Sequence, residues 1–401
     1  MRLTGPGKFI VLLLALGLAI GGFRLWNRSR PEPDAPSGAS SGHREFPAGF
    51  ASSPGAASSP GAASGGGALS LVTSKSSKSW LLSEIGKFNA RGGLQVVPQF
   101  VETREAMHGI LDGTLKPVLY APSTTVWAQR LQSAWKAQHG TDILSTGDAA
   151  SYRVFLKTPL VFVTTQDKAR FLRPLLGRSG GWQKLHELGA GRLKTPWGRW
   201  SWAHADPLTA NSGTMTLGAI LADYANASAQ DDLVAVAQSQ KFRAYVRELE
   251  GGLKFDLPAQ SGSSALFSAF VKDPARYDCI TSYESNALSA AAGHPSLAVI
   301  YPQPTVTSES VAAILSAPWV SAAQKQAAEQ FLAFLGSPES IADGVRDGLR
   351  PISSTDEAQA ARLNSLRAQG FSQAFTSAEL PPYEALNAAA FNWRGDVGGK
   401  F

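Results

Sequence analysis

From Leu69 onward, short apolar runs alternate with helical patterns, and turns rich in Ser and Thr sit at their junctions. Leu69 to Thr73 reads as a strand and Ser74-Lys75-Ser76-Ser77-Lys78 as a polar turn. Leu81, Ile85 and Phe88 then recur at spacings of four and three, the period of an amphipathic helix. Leu94 to Val97 is the next strand. A helix over about Arg104 to Leu111 leads through Gly113 into Val118-Leu119-Tyr120. The turn Ala121-Pro122-Ser123-Thr124-Thr125 then opens a helix carrying Trp127, Leu131 and Trp135, and Leu160 to Thr164 is a continuous apolar strand. Strand, helix, strand in this rhythm predicts an α/β fold, with a mostly parallel sheet covered by helices on both faces.

The first 68 residues follow another logic. Arg2 and Lys8 precede an uncharged apolar run, Phe9 to Phe23, and Arg24, Arg28 and Arg30 follow it. That run is short for a spanning helix of about 20 residues but suits the hydrophobic region of an export signal. Cleavage after Ala19-Ile20-Gly21 would release a secreted protein. The three arginines, with Leu25 and Trp26 between them, favour an uncleaved signal anchor, and a long polar domain is placed outside the cytoplasm whatever its charge. Residues 31–68 hold 31 Pro, Gly, Ser and Ala out of 38, including two tandem Ser-Ser-Pro-Gly-Ala-Ala units. Such a segment cannot bury enough apolar area to offset chain entropy, and it reads as a disordered linker spanning roughly 35 Å.

Composition excludes several classes. The single cysteine, Cys279, rules out an intramolecular disulfide framework and every multi-cysteine metal site, and six scattered His residues offer little metal chemistry. Cys279 lies in an apparent strand and reads as a buried small hydrophobe. Of the net charge of +6, half lies in residues 1–68, and no basic run is interleaved with aromatics. Nucleic acid is therefore not an expected partner. No Gly-x-Ser-x-Gly elbow, His-Glu-x-x-His helix or P-loop occurs. Ser133-Ala134-Trp135-Lys136 fits a bare Ser-x-x-Lys pattern without its companion signatures, so no catalytic residue, cofactor or metal is assigned.

The most informative segment runs from Trp200 through His204-Ala205-Asp206-Pro207 to Asn211-Ser212-Gly213, entering a helix marked by Leu217, Ile220, Leu221 and Tyr224. Asn211 or Ser212 is a natural N-cap, and Gly213 lets a backbone come close. A helix start offers free N–H donors to an anionic or carbonyl-rich guest. The turns at Ser74, Ser76 and Ser77 and at Ser123, Thr124 and Thr125 share that logic, and open α/β sheets bind ligands at such strand ends. Trp182, Trp197, Trp200 and Trp202 read either as core or as a platform for a flat guest.

The chain resembles the bacterial extracellular solute-binding proteins of the type II periplasmic-binding fold, near the sulfate/molybdate-type group and the version joined to von Willebrand factor A domains. Four stretches carry the resemblance. They are His204-Ala205-Asp206-Pro207 with Asn211-Ser212-Gly213; Thr281-Ser282-Tyr283-Glu284; Ile300-Tyr301-Pro302; and Ala317-Pro318-Trp319-Val320 running through Ala327 to Leu335 and on to Gly348-Leu349-Arg350-Pro351. Gln303-Pro304-Thr305 departs from the family's acidic-Gly-Thr pattern, and no Asp-x-Ser-x-Ser motif of a von Willebrand domain is present.

The resemblance implies two α/β lobes around a ligand cleft, residues 69–158 with 296–401 and residues 159–295, crossing near 157–159 and 295–301. It places Ser74, Ser76, Ser77, Ser123, Thr124, Thr125, Asn211, Ser212, Gly213 and Tyr283 in that cleft. Glu284 beside Tyr283 would repel a dianion and favour a cation, a hydroxyl-rich ligand or a protonated oxyanion; alternatively it pairs structurally with an Arg or a backbone N–H. The implied role is capture of a small polar solute or oxyanion for an ABC-transporter permease, from a membrane-tethered extracytoplasmic position. A sensor or interaction module of the cell envelope using the same fold is the alternative.

Overall fold

The computed structural model describes residues 68–74, 78–257, 262–352 and 356–400. The apolar run at 9–23, the linker up to residue 67, and Ser76 and Ser77 lie outside the described residues. Among the described residues, no helix is long and apolar enough to cross a membrane.

The chain begins with the predicted alternation: β1 (Ala68–Thr73), α1 (Lys78–Asn89), β2 (Gln95–Phe100), α2 (Thr103–Leu111), β3 (Leu119–Ala121) and α3 (Thr125–His139). β1 pairs in parallel with both β2 and β3. The 14-residue β4 (Tyr152–Thr165) leads into α4 (Gln166–Leu176), α5 (Gly181–Gly189), β5 (Trp202–Ala203), α6 (Asn211–Ala227), α7 (Leu233–Gln238) and α8 (Gln240–Leu249). Next come α9 (Ser263–Lys272), β6 (Cys279–Tyr283), α10 (Glu284–Ala290), β7 (Leu297–Ile300) and β8 (Thr307–Ile314). The chain closes with α11 (Ala322–Leu335), α12 (Pro338–Arg346), β9 (Arg350–Pro351), α13 (Glu357–Ser365) and α14 (Tyr383–Asp396).

β4 belongs to two sheets. Its first half, Tyr152 to Pro159, pairs with β8 and, at Leu156 and Lys157, with β9, continuing the β1–β3 sheet. Its second half pairs with β6 and β7 from Leu160 onward, and β5 extends that sheet in parallel with β6. The expected mostly parallel sheet is corrected here: of the eight strand pairings, three are parallel and five antiparallel. The chain leaves the first sheet along β4 and returns along β8, so the strands joining the two sheets run in opposite senses. β7 pairs within the second sheet, so the return lies between Ile300 and Thr307.

Each sheet is covered on both faces. On β1, Leu69 and Leu71 pack with Phe155 and Phe331, whereas Val72 joins Tyr120, Leu131 and Trp135 on the other side. On β4, Leu160 and Phe162 meet Trp182, Trp202 and Ile220, while Val161 and Val163 meet Tyr277, Ile280 and Leu297. A strand buried on both faces needs apolar residues at every position, and that explains the unbroken run at 160–163. Trp182, Trp200 and Trp202 are core, with Trp197 packed at its edge. Cys279 is fully buried, and burial pushes its thiol pKa well up, which keeps it unreactive.

Candidate functional site: a hydroxyl-lined cleft at the hinge strands

A cavity of about 580 Å³ opens where β4 and β8 pass between the sheets. Thr158 of β4 and Ser308, Glu309 and Ser310 of β8 line it on the strand side. Ser79 and Trp80 of α1, Ser264, Phe267 and Ser268 of α9, and Ser285, Asn286 and Ser289 of α10 form its walls, and Asp347 and Leu349 complete it. Their positions follow from local hydrogen bonds. Ser285 N–H donates to Thr158 Oγ1 at 3.1 Å, Ser289 Oγ donates to the Asp347 carbonyl at 3.0 Å, and Trp80 Nε1 donates to the Ser340 carbonyl at 2.7 Å. Glu309 Oε2 accepts from both Thr125 N at 3.1 Å and Thr125 Oγ1 at 2.7 Å, so a carboxylate caps the α3 start.

The polar part of the lining is hydroxyls, one amide and two carboxylates, set beside Trp80, Phe267, Ala290 and Leu349, with no Lys, Arg or His among the described lining residues. Hydroxyls and amides both donate and accept, so they can replace the hydration of a polar guest from several directions. A second cavity of about 600 Å³ lies beside Lys157, Arg350, Gln359 and Phe375. Lys157 and Thr158 are successive residues of one strand and point to opposite faces, so the two cavities are separate. Among the described residues, no group of three or more His, Cys, Asp or Glu is arranged to hold a metal ion.

Of the residues singled out in the sequence, Tyr283 lines the cleft and Thr125 reaches it through Glu309. Ser76 and Ser77 lie outside the described residues, and the remaining ones make contacts within the protein. Ser123 Oγ donates to Ser74 Oγ at 2.7 Å and lies 3.0 Å from Thr103 Oγ1, in a buried hydroxyl chain that ties the ends of β1 and β3 to α2. Thr124 is the N-cap of α3, but its side chain makes no capping bond. Ala210, not Asn211 or Ser212, is the N-cap of α6. Asn211 Nδ2 donates to the Tyr283 hydroxyl at 3.0 Å, and Asn211 Oδ1 accepts from Trp127 Nε1 at 3.3 Å. Ser212 is fully buried and accepts from Ser263 Oγ at 2.6 Å, which fastens α6 to α9. Gly213 does allow a close approach, but to the chain itself: a Cβ there would stand 2.1 Å from the Ala205 carbonyl oxygen.

Glu284 resolves to its structural alternative. It is fully buried, with Arg350 Nε on Oε1 at 2.9 Å, and Arg350 Nη2 at 2.5 Å and the Tyr301 hydroxyl at 2.7 Å on Oε2. Burial works against the Arg350 charge, but Glu284 outweighs it and raises the guanidinium pKa, so Arg350 keeps its charge. Both Glu284 oxygens are engaged within the protein, by Arg350 and Tyr301. Ser264, Ser285, Asn286, Ser289 and Ser308-Glu309-Ser310 line the cavity without belonging to a motif that marks them in the sequence. The available signal was the run of hydroxyls directly after the C-terminal end of β6 and along β8.

The two-sheet fold has relatives. No curated protein sequence matches the chain. The sulfate-binding protein SubI from Mycobacterium tuberculosis H37Rv superposes with a TM-score of 0.53 at 20% identity, over 84% of this chain and 99% of that one. A periplasmic thiamin binding protein superposes at a TM-score of 0.56 and 15% identity, over 82% and 96%. Iron-bound HitA from Pseudomonas aeruginosa does so at 0.54 and 11%, over 82% and 99%. At these identities the likeness establishes the two-lobed periplasmic-binding fold. A sequence model described as bacterial extracellular solute-binding protein matches residues 69–350, most of the folded chain, and the chain belongs to that family.

Proposed function

We propose that the chain captures a small polar solute in the cleft between its two sheets, outside the cytoplasm, and delivers it to an ABC importer while its N-terminal apolar run holds it at the membrane. The observation that carries this reading is the hydroxyl-lined cavity at the hinge strands, in a chain of the solute-binding family. On this reading the first lobe is built on the β1–β3 sheet and the second on β5–β7, with residues 159–300 in the second. Thr158, Ser264, Ser285, Asn286, Ser308 and Glu309 replace the solute's hydration as the lobes close.

The neighbours named above bind sulfate, thiamin and iron, which spans anions and cations. Glu309 and Asp347 in the cleft disfavour a fully ionised dianion and favour a cationic or hydroxyl-rich neutral solute. A thermal-shift screen against sulfate, molybdate, ferric citrate, thiamin, sugars and amino acids tests this. A true ligand at a hundred times its Kd stabilises by about 2.7 kcal/mol. Ser285→Trp, which fills the cleft, should abolish that shift and leave the unliganded melting temperature nearly unchanged. Absence of any stabilising solute, together with stable capture of another envelope protein, would sink the transport reading.

A further inference from the structure

The last helix enters two cores at once. Tyr383 and Leu386 of α14 belong to the cluster of Val72, Tyr120, Trp127 and Leu131 on the first sheet. Ala385, Ala389, Ala390 and Trp393 belong to the cluster of Trp202, Ile220 and Phe242 on the second. Ala385, Ala389 and Trp393 recur every four residues, and the two alanines let the helix axis come close to its neighbours.

Polar contacts repeat the division. At its first turns, Glu384 lies 3.1 Å from Arg130 Nη1, and Asn387 accepts from Arg104, whose guanidinium also sits 5.9 Å from the Tyr383 ring centre. At its last turns, Trp393 Nε1 donates to Glu250 Oε1 at 3.0 Å, Arg394 pairs with the fully buried Asp206 at 2.5 Å, and Asp396 takes two bonds from Arg243 at 2.7 Å. His204 Nε2 donates to the same Glu250 oxygen at 2.9 Å. The His204-Ala205-Asp206-Pro207 turn is thus a socket for the end of α14. Trp127 of α3 stands edge-on to Tyr383 at 5.5 Å and donates to Asn211 of α6 at 3.3 Å, so the first turn of α14 adjoins the contact of α3 with α6.

We propose that α14 is a strap that holds the two lobes together at the α3–α6 contact, a third link beside the β4 and β8 crossings. Its polar contacts include α2, α3, α7, α8, Glu250 and the socket turn, whereas α1, α9 and α10 wall the cleft. Lobe movement therefore leaves the α3–α6 side fixed and changes the width of the cleft between α1 and α9–α10. The proposal stands on the two-sheet fold and needs no particular solute.

The test compares release of either end of the strap in the full chain. Arg104→Ala with Glu384→Ala frees the end on the first lobe, and Arg394→Ala frees the other. Each variant should speed amide hydrogen exchange about tenfold or more in the first turns of both α3 and α6, and raise the radius of gyration by scattering, while the β-strands stay protected. Exchange that rises only in the lobe carrying the substitution, with an unchanged radius, would overturn the strap. Should either variant fail to fold, Asn387→Ala and Asp396→Asn loosen the same two ends more gently and are judged by the same comparison.

Discussion

Glu284 shows how much a residue's meaning depends on its partner. Next to Tyr283 in sequence it reads as a cleft carboxylate, yet Arg350, 66 positions away, takes both of its oxygens. Removing one member of a buried ion pair strands the other charge, and Glu284→Gln should cost about 3–5 kcal/mol by urea unfolding. A loss below about 1 kcal/mol would mean that the two carbonyls holding Arg350, those of Ser372 and Gln373, suffice alone. His204 makes a pH-dependent counterpart. Its Nδ1 lies 2.7 Å from the Ala205 carbonyl and its Nε2 2.9 Å from Glu250, so both nitrogens face acceptors and both carry protons. Burial opposes that charge, but Glu250, its hydrogen bond, the Ala205 carbonyl and Asp206 outweigh it and raise the pKa. The imidazolium therefore contributes its full stability at and below the unfolded value of about 6.5 and loses it as pH rises through the higher folded value. Unfolding free energy should fall across that alkaline window in the native chain and stay flatter in His204→Gln.

Among elements, α6 is the clearest case of a segment that is legible in the sequence while the partners of its first turn are not. Its position after β5 and its apolar spacing are visible in the chain, but its first turn grips other protein atoms. Gly213→Ala would force Cβ against the backbone of Ala205 and Asp206, which cannot swing aside as a side chain can, so about 1–3 kcal/mol should be lost. A neutral effect on the melting temperature would show that the turn can shift. β4 shows the converse. Its apolar half, Leu160 to Thr164, stands out because burial on both faces demands it, whereas Tyr152 to Pro159 alternates with polar residues and contains a proline. Only the half of β4 inside the second sheet is therefore legible in the sequence, and the half paired with β8 is not. The cleft was hard to see for the same reason: Thr158, Ser308 and Glu309 sit on crossing strands, and only the pairing of β4 with β8 brings them opposite Ser285.

At the scale of the molecule, the two sheets are mechanically less separate than a two-lobed outline suggests. They share one uninterrupted strand, β4, and one helix, α14, and each of these contributes side chains to cores on both sides. Losing either lobe would strip apolar partners from β4 and α14 and expose surface belonging to the other, so partial unfolding gains little entropy for the contacts it breaks. A chain of this length with independent lobes would melt in steps. The shared elements predict one cooperative transition instead, with the calorimetric and van't Hoff enthalpies equal. Tryptophans on the two sides, such as Trp135 beside the first sheet and Trp202 beside the second, should report the same midpoint. Two resolved midpoints, or a van't Hoff enthalpy well below the calorimetric one, would show that neither β4 nor α14 couples the lobes strongly enough to make them a single folding unit.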